Sequence, residues 1–148
     1  MIDTPPAMRA ATVNALVVAD SVVIPIDSSS LALLGMNNEQ LLKTIAAISE
    51  THNPALKILV LTTMFNRRQN LDKLIRQQVE EFFGPSLVLE SVIHRYVDVA
   101  EATAMRKGVV ENTTASSAAF DFMKLYNELK REMSDEQEKP RAVKSLHR

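Results

Sequence analysis

What most constrains this chain is an alternation of two hydrophobic periods. Short stretches rich in apolar residues at 22–26 (Val-Val-Ile-Pro-Ile, continuous), 57–63 (Lys-Ile-Leu-Val-Leu-Thr-Thr) and 87–93 are separated by stretches whose apolar residues recur at helical spacing. The first two runs suit strands buried on both faces, and the third alternates loosely. Strands of this kind with helices between them predict an α/β fold built on a parallel sheet. The helical patterns cover 7–19 (Met8, Ala11, Ala15, Val18), about 31–51, 71–83, about 99–107 and 116–133. Pro5-Pro6 fits the entry of the first. The second bends near Gly35 or is capped anew at Asn37-Asn38, and Asn53-Pro54 closes it. Gly84-Pro85 stops the third, whose apolar face reads Leu71, Leu74, Ile75, Val79 and Phe82. The last carries Ala119, Phe122, Met123, Tyr126 and Leu129 along one stripe. Pro25 has no N–H to give a ladder, so it is expected at the exit of its strand or at a bulge.

Bulk properties exclude more than they assign. At 148 residues the chain suits one domain, read here as 1–133, with 134–148 a charged tail expected to be disordered. A net charge of −1 leaves no global field for nucleic acid or a membrane, so such contact needs a local patch. With no cysteine there is no disulfide, thiolate zinc site or cysteine nucleophile, and His52, His94 and His147 are too scattered to suggest a metal cluster. No secretory leader and no apolar run of about 18 residues is visible, which predicts a cytoplasmic chain. The only glycines are Gly35, Gly84 and Gly108, none in a phosphate-cradling loop, and no Walker A pattern occurs. Ser28-Ser29-Ser30 has no histidine near it in sequence and reads as a polar loop. Phe120, Phe122 and Tyr126 read as core and surface positions of the last helix rather than a stacking platform.

Several blocks in order resemble the C-terminal half or more of the ParA/Soj-type partition ATPases, deviant-Walker P-loop proteins. Ile2-Asp3-Thr4-Pro5-Pro6 is similar to the family's strand-tip acidic motif and switch, and 12–26 to the helix and strand after it. Leu31-Ala32-Leu33-Leu34-Gly35 resembles the family turn "ALEGL", 61–71 the segment "LLTMYDxRTNL", and 93–102 the segment "IPRNVRLSEA". The resemblance runs to about Leu129. It implies a partial parallel sheet flanked by helices, a P-loop NTPase fold missing its N-terminal strands, since members carry roughly a hundred residues before the acidic motif, including the loop "KGGVGKT". On this reading the chain is N-terminally incomplete and, alone, hydrolyses no ATP, with no catalytic residue assigned.

The resemblance also implies sites. ATP and Mg belong to the intact family, and none is expected for this chain alone. Asp3 would be a water-mediated Mg ligand once the missing half is present; its plain alternative is a loop-entry carboxylate bound by turn amides. Asn66, Arg67, Ile93, His94, Arg95 and Tyr96 would border the adenine, with His94 where the family has proline and Tyr96 where it has asparagine. Without the resemblance, Asn66 caps a turn and Arg67 is solvated. Arg67, Arg68, Lys73 and Arg76 form the best basic patch for non-specific DNA, although Asp98 stands where a second family arginine would be. The implied partners are a second copy or a full-length ParA-like protein, a ParB-like protein and DNA, at the nucleoid and with no membrane. Two other functions fit the residues: a P-loop-free module that binds DNA or a complete ParA-like protein, and a remnant with no selected activity.

Overall fold

In the computed structural model, described for residues 1–4, 9–27, 39–66, 70–108 and 116–134, the three apolar runs are the three strands of one sheet. They are β1 (Ser21–Ile26), β2 (Lys57–Phe65) and β3 (Val88–His94), paired in parallel in the order β1-β2-β3. The helices are α1 (Ala10–Val18), α2 (Glu39–Thr51), α3 (Asn70–Phe83), α4 (Val97–Ala104) and α5 (Ser117–Ser134). The expected helix residues 31–38, the Pro5-Pro6 entry and the tail 135–148 lie outside the described residues.

β2 runs through the middle and is buried on both faces, which is why its central residues Ile58, Leu59, Val60 and Leu61 are all apolar. Ile58 and Val60 point to a first face, where Leu16 of α1, Ile45 and Ile48 of α2, and Val79 and Phe83 of α3 pack with Ile24 and Ile26. Leu59 and Leu61 point to the second face and pack with Leu89, Ile93 and, from α5, Leu125 and Leu129.

Pro25 lies inside β1 rather than beyond it. The Lys57 N–H donates to the Asp20 carbonyl at 3.0 Å, so backbone groups of even-numbered β1 residues face β2. The nitrogen of Pro25 therefore faces the edge of β1 that no described strand pairs, where a missing N–H breaks no ladder bond.

The connections are closed by named groups. Asn53 Nδ2 donates to the carbonyls of Leu16 (3.0 Å) and Ala19 (2.8 Å), satisfying acceptors left over at the end of α1. After α3, Gly84 takes φ 82°, and its N–H donates to the Glu80 carbonyl at 3.0 Å, a glycine-terminated helix end.

Two helix faces differ from the sequence expectation. In α3 the buried positions are Asp72, Ile75, Val79 and Phe83, while Leu74 and Phe82 are exposed. In α5 the inward residues are Ala118, Ala119, Asp121 and Glu128, flanked by Leu125 and Leu129, while Phe122, Met123 and Tyr126 are exposed. The reason is local to β3. Val60 pairs with Val88 but Thr62 with Val92, so β3 bulges between them. The bulge turns the N–H groups of Glu90 and Ser91 away from β2. Glu128 accepts both, one on each carboxylate oxygen, at 2.6 and 2.8 Å. Asp121, seven residues earlier and on the same side of the helix, accepts the N–H of His94 at 3.1 Å. Backbone donors that would otherwise be buried unpaired thus choose which side of α5 turns inward.

Candidate functional site

In an open parallel sheet, side chains that can meet a ligand collect at the C-terminal ends of the strands. Here β2 ends in Met64-Phe65 and β3 in His94, and Phe65 and His94 are partners across the ladder. Met64 has φ 55°, unusual for an unbranched apolar residue, at a second register shift between Thr62 and Phe65. The shift brings the Arg95 N–H onto the Phe65 carbonyl at 3.0 Å, so the chain leaving β3 stays bonded to the tip of β2.

Three rings gather there. Phe65 and His94 meet edge to face with centroids 5.6 Å apart, and His94 and Tyr96 are tilted at 5.9 Å. Asp121 holds His94. One oxygen, Oδ2, accepts the His94 backbone N–H and lies 2.7 Å from Nδ1, with the two side chains only 11% and 8% exposed. A carboxylate oxygen accepts, so Nδ1 carries the proton toward it, and the ring is fixed in position and tautomer.

A second carboxylate fixes the loop after β2. Asp72 in the first turn of α3 accepts the Asn66 N–H at 2.5 Å and is 2% exposed. Its Oδ1, Thr62 Oγ1 and Arg76 Nη1 are buried and find no hydrogen-bond partner among the described residues. The Nε of Arg76 donates to Glu80 at 2.9 Å and its Nη2 to the Leu89 carbonyl at 3.0 Å.

The structure thus brings together Asn66, His94, Arg95 and Tyr96 at adjoining strand tips, with Arg95 exposed. Ile93 points into the core with Leu59, Leu61 and Leu89, beneath the tips rather than among them. Arg67 and Arg68 lie outside the described residues. Of the other two members of the basic patch, Lys73 is exposed and Arg76 is half-buried and committed as above. Asp3 is exposed, outside any helix or strand, and makes no hydrogen bond or ion pair to another described residue. Among the described residues no group of three or more His, Asp or Glu could hold a metal, and no helix is long and apolar enough to cross a membrane.

Sequence reasoning missed Asp72, Asp121 and Glu128, the carboxylates that fix the strand ends. A signal existed in α5: Asp121 and Glu128 fall in the stripe Ala118-Asp121-Leu125-Glu128-Leu129-Glu132, where acids interrupt an apolar face.

Comparison with known proteins adds relatives. Residues 1–58 match a family model described as an AAA domain. The chain is 34% identical over 140 residues to the chromosome partitioning protein ParA of Caulobacter vibrioides, covering 94% of this chain and 51% of that protein. It is 35% identical over 130 residues to the sporulation initiation inhibitor protein Soj of Bacillus subtilis, covering 87% and 50%. It is 32% identical over 130 residues to the chromosome-partitioning ATPase Soj of Thermus thermophilus, covering 87% and 51%. The chain therefore spans about half the length of the curated relatives it matches.

Proposed function

We propose that this chain, a homologue of the ParA/Soj partition ATPases over about half their length, acts in the segregation of chromosomes or plasmids, with the tips of β2 and β3 as the base-side wall of a nucleotide site. The observation that carries this reading is the convergence of Phe65, Asn66, His94 and Tyr96, held by Asp72 and Asp121. Ring edges and faces suit a purine, and the held backbone gives fixed polar groups beside it.

Intact members of such a family use ATP with Mg. The residues described here fit the base end of that ligand and not its phosphate end. Asp3 is exposed, and the sequence has no glycine-rich loop or P-loop lysine to neutralise phosphates. These 148 residues therefore hydrolyse no ATP by themselves. Their partners are a second copy or a full-length ParA-like protein and a ParB-like protein, in the cytoplasm at the nucleoid. Lys73, with Arg67 and Arg68 beside it in sequence, carries any contact with DNA. A regulatory module without hydrolysis fits the same residues.

Two titrations test the reading. Calorimetry with Mg-ATP should show no binding by the 148-residue chain, and micromolar affinity would overturn the phosphate argument. Heteronuclear spectra with millimolar adenosine should shift Phe65, Asn66, His94 and Tyr96, and an Asp121→Ala variant should lose those shifts. Adenosine shifts elsewhere, or none at all, would sink the base-site assignment.

A further inference from the structure

The outer face of α3 carries a pattern that the packing of this chain leaves unused. Asp72, Ile75, Val79 and Phe83 face inward, and Arg76 leans toward β3, where its Nη2 donates to the Leu89 carbonyl. At about 100° per residue, Gln77 and Glu81 then point straight to solvent. Lys73 lies on their β3 side, and Leu74, Gln78 and Phe82 lie on the other. All six are exposed, Leu74 at 51% and Phe82 at 48%. They form two parallel ridges of i, i+4, i+8 spacing, Lys73-Gln77-Glu81 and Leu74-Gln78-Phe82, each with a glutamine at its midpoint.

The charges on this face run against the dipole of their own helix. Arg76 and Glu80 pair with each other at 2.9 Å, and Asp72, the acid that suits the first turn, is turned inward to the Asn66 N–H. The charges left outward are Lys73 in the first turn and Glu81 in the last, the reverse of the order that stabilises a solitary helix. Gln77 Nε2 donates to Glu81 Oε1 at 2.9 Å and holds that carboxylate over the outer face. A neighbouring helix running the opposite way corrects both ends, because its first turn then lies beside Glu81 and its last turn beside Lys73.

The neighbour that meets this description is α3 of a second copy. A half-turn about an axis that crosses the helix at Gln77-Gln78 lays Leu74 on Phe82 of the second copy and brings Lys73 to its Glu81, and symmetry makes each contact twice. A parallel arrangement would instead set Lys73 against Lys73 and Glu81 against Glu81. We infer that the outer face of α3 is an isologous contact through which two copies of this chain associate, helix on helix and antiparallel. One helix face on another stays below the ~1,200 Å² of a standard interface, so the dimer is a weak one that forms at high local concentration.

The test is sedimentation equilibrium of the 148-residue chain from about 10 μM to 1 mM, without nucleotide and without DNA. Its result therefore stands apart from the base-site reading and from the DNA contact assigned to Lys73. A monomer–dimer equilibrium is expected, weakening as salt is raised. Leu74→Glu and Phe82→Glu, each checked for folding by circular dichroism, should weaken it about tenfold or more. Lys73→Glu and Glu81→Lys should each weaken it about three- to tenfold, and the double variant, which restores opposite charges across the axis, should return it to within about threefold. Phe120→Lys on α5, at a residue 70% exposed, should leave it unchanged. A monomer at 1 mM overturns the inference. So does a dimer indifferent to both apolar variants, a double charge variant weaker than either single one, or a loss on Phe120→Lys equal to that on Leu74→Glu.

Discussion

Replacing each buried carboxylate of α5 by its amide makes a test that hardly changes volume. Glu128 uses both oxygens, Oε1 for the Glu90 N–H and Oε2 for the Ser91 N–H, and is 6% exposed. Glu128→Gln keeps one acceptor and must turn an NH₂ group toward the other N–H, donor against donor. One charge-assisted bond is lost and one buried donor is left unpaired, a cost of about 2 kcal/mol within a range of roughly 1–3. Asp121 uses a single oxygen for both of its donors, the His94 N–H and Nδ1. Asp121→Asn can present its carbonyl oxygen to both, so its cost should stay below about 1 kcal/mol. Urea titrations followed by circular dichroism would measure the two, with the slope unchanged and only the midpoint moved. For a chain of this size, 2 kcal/mol corresponds to a fall in Tm of about 4–8 °C. Equal effects of the two variants, or a Glu128→Gln change within about 0.5 kcal/mol of zero, would refute the argument that β3's bulged donors orient α5.

Other outcomes follow from the same packing. Phe83→Ala should cost about 3–5 kcal/mol, since the ring is 1% exposed in the core, while Phe82→Ala, 48% exposed, should cost well under half of that in the same urea titration. Asn53→Ala frees the carbonyls of Leu16 and Ala19 and should destabilise by about 1–2 kcal/mol, read by thermal melting, with exchange of the α1 amides accelerated. For DNA, Lys73→Glu should weaken retention of a random duplex at low salt and reduce the salt slope by about one, with Lys124→Glu on α5 as a neutral control; equal effects of the two would remove α3 from the DNA reading.

Element identity was legible because the runs 22–26 and 57–63 and the amphipathic stretch before Gly84 obey local rules. The structure returns β1, β2 and the end of α3 within a residue or two of those bounds. Pro25 shows where local rules stop. Its missing N–H excluded a central ladder position, but whether its nitrogen faced β2 or the free edge depended on the register with Lys57. The candidate site shows the same limit. Asn66, His94, Arg95 and Tyr96 were named from a resemblance and lie at adjoining strand tips, whereas no local pattern singled out Asp72, which accepts the Asn66 N–H, or Asp121, which accepts from His94.

Local periodicity alone determined that this chain alternates strands and helices around a parallel sheet, because the spacing of apolar residues is set by each element's own geometry. It could not choose between the two rows of α5, one carrying Phe122, Met123 and Tyr126 and the other Asp121, Leu125 and Glu128. By hydrophobicity the first row wins. Tertiary structure chose the second, because a bulge in β3 left two N–H groups without a strand partner; burying them unpaired would cost about 1–3 kcal/mol each, and the row that carries Glu128 meets both while Phe122, Met123 and Tyr126 stay partly in water.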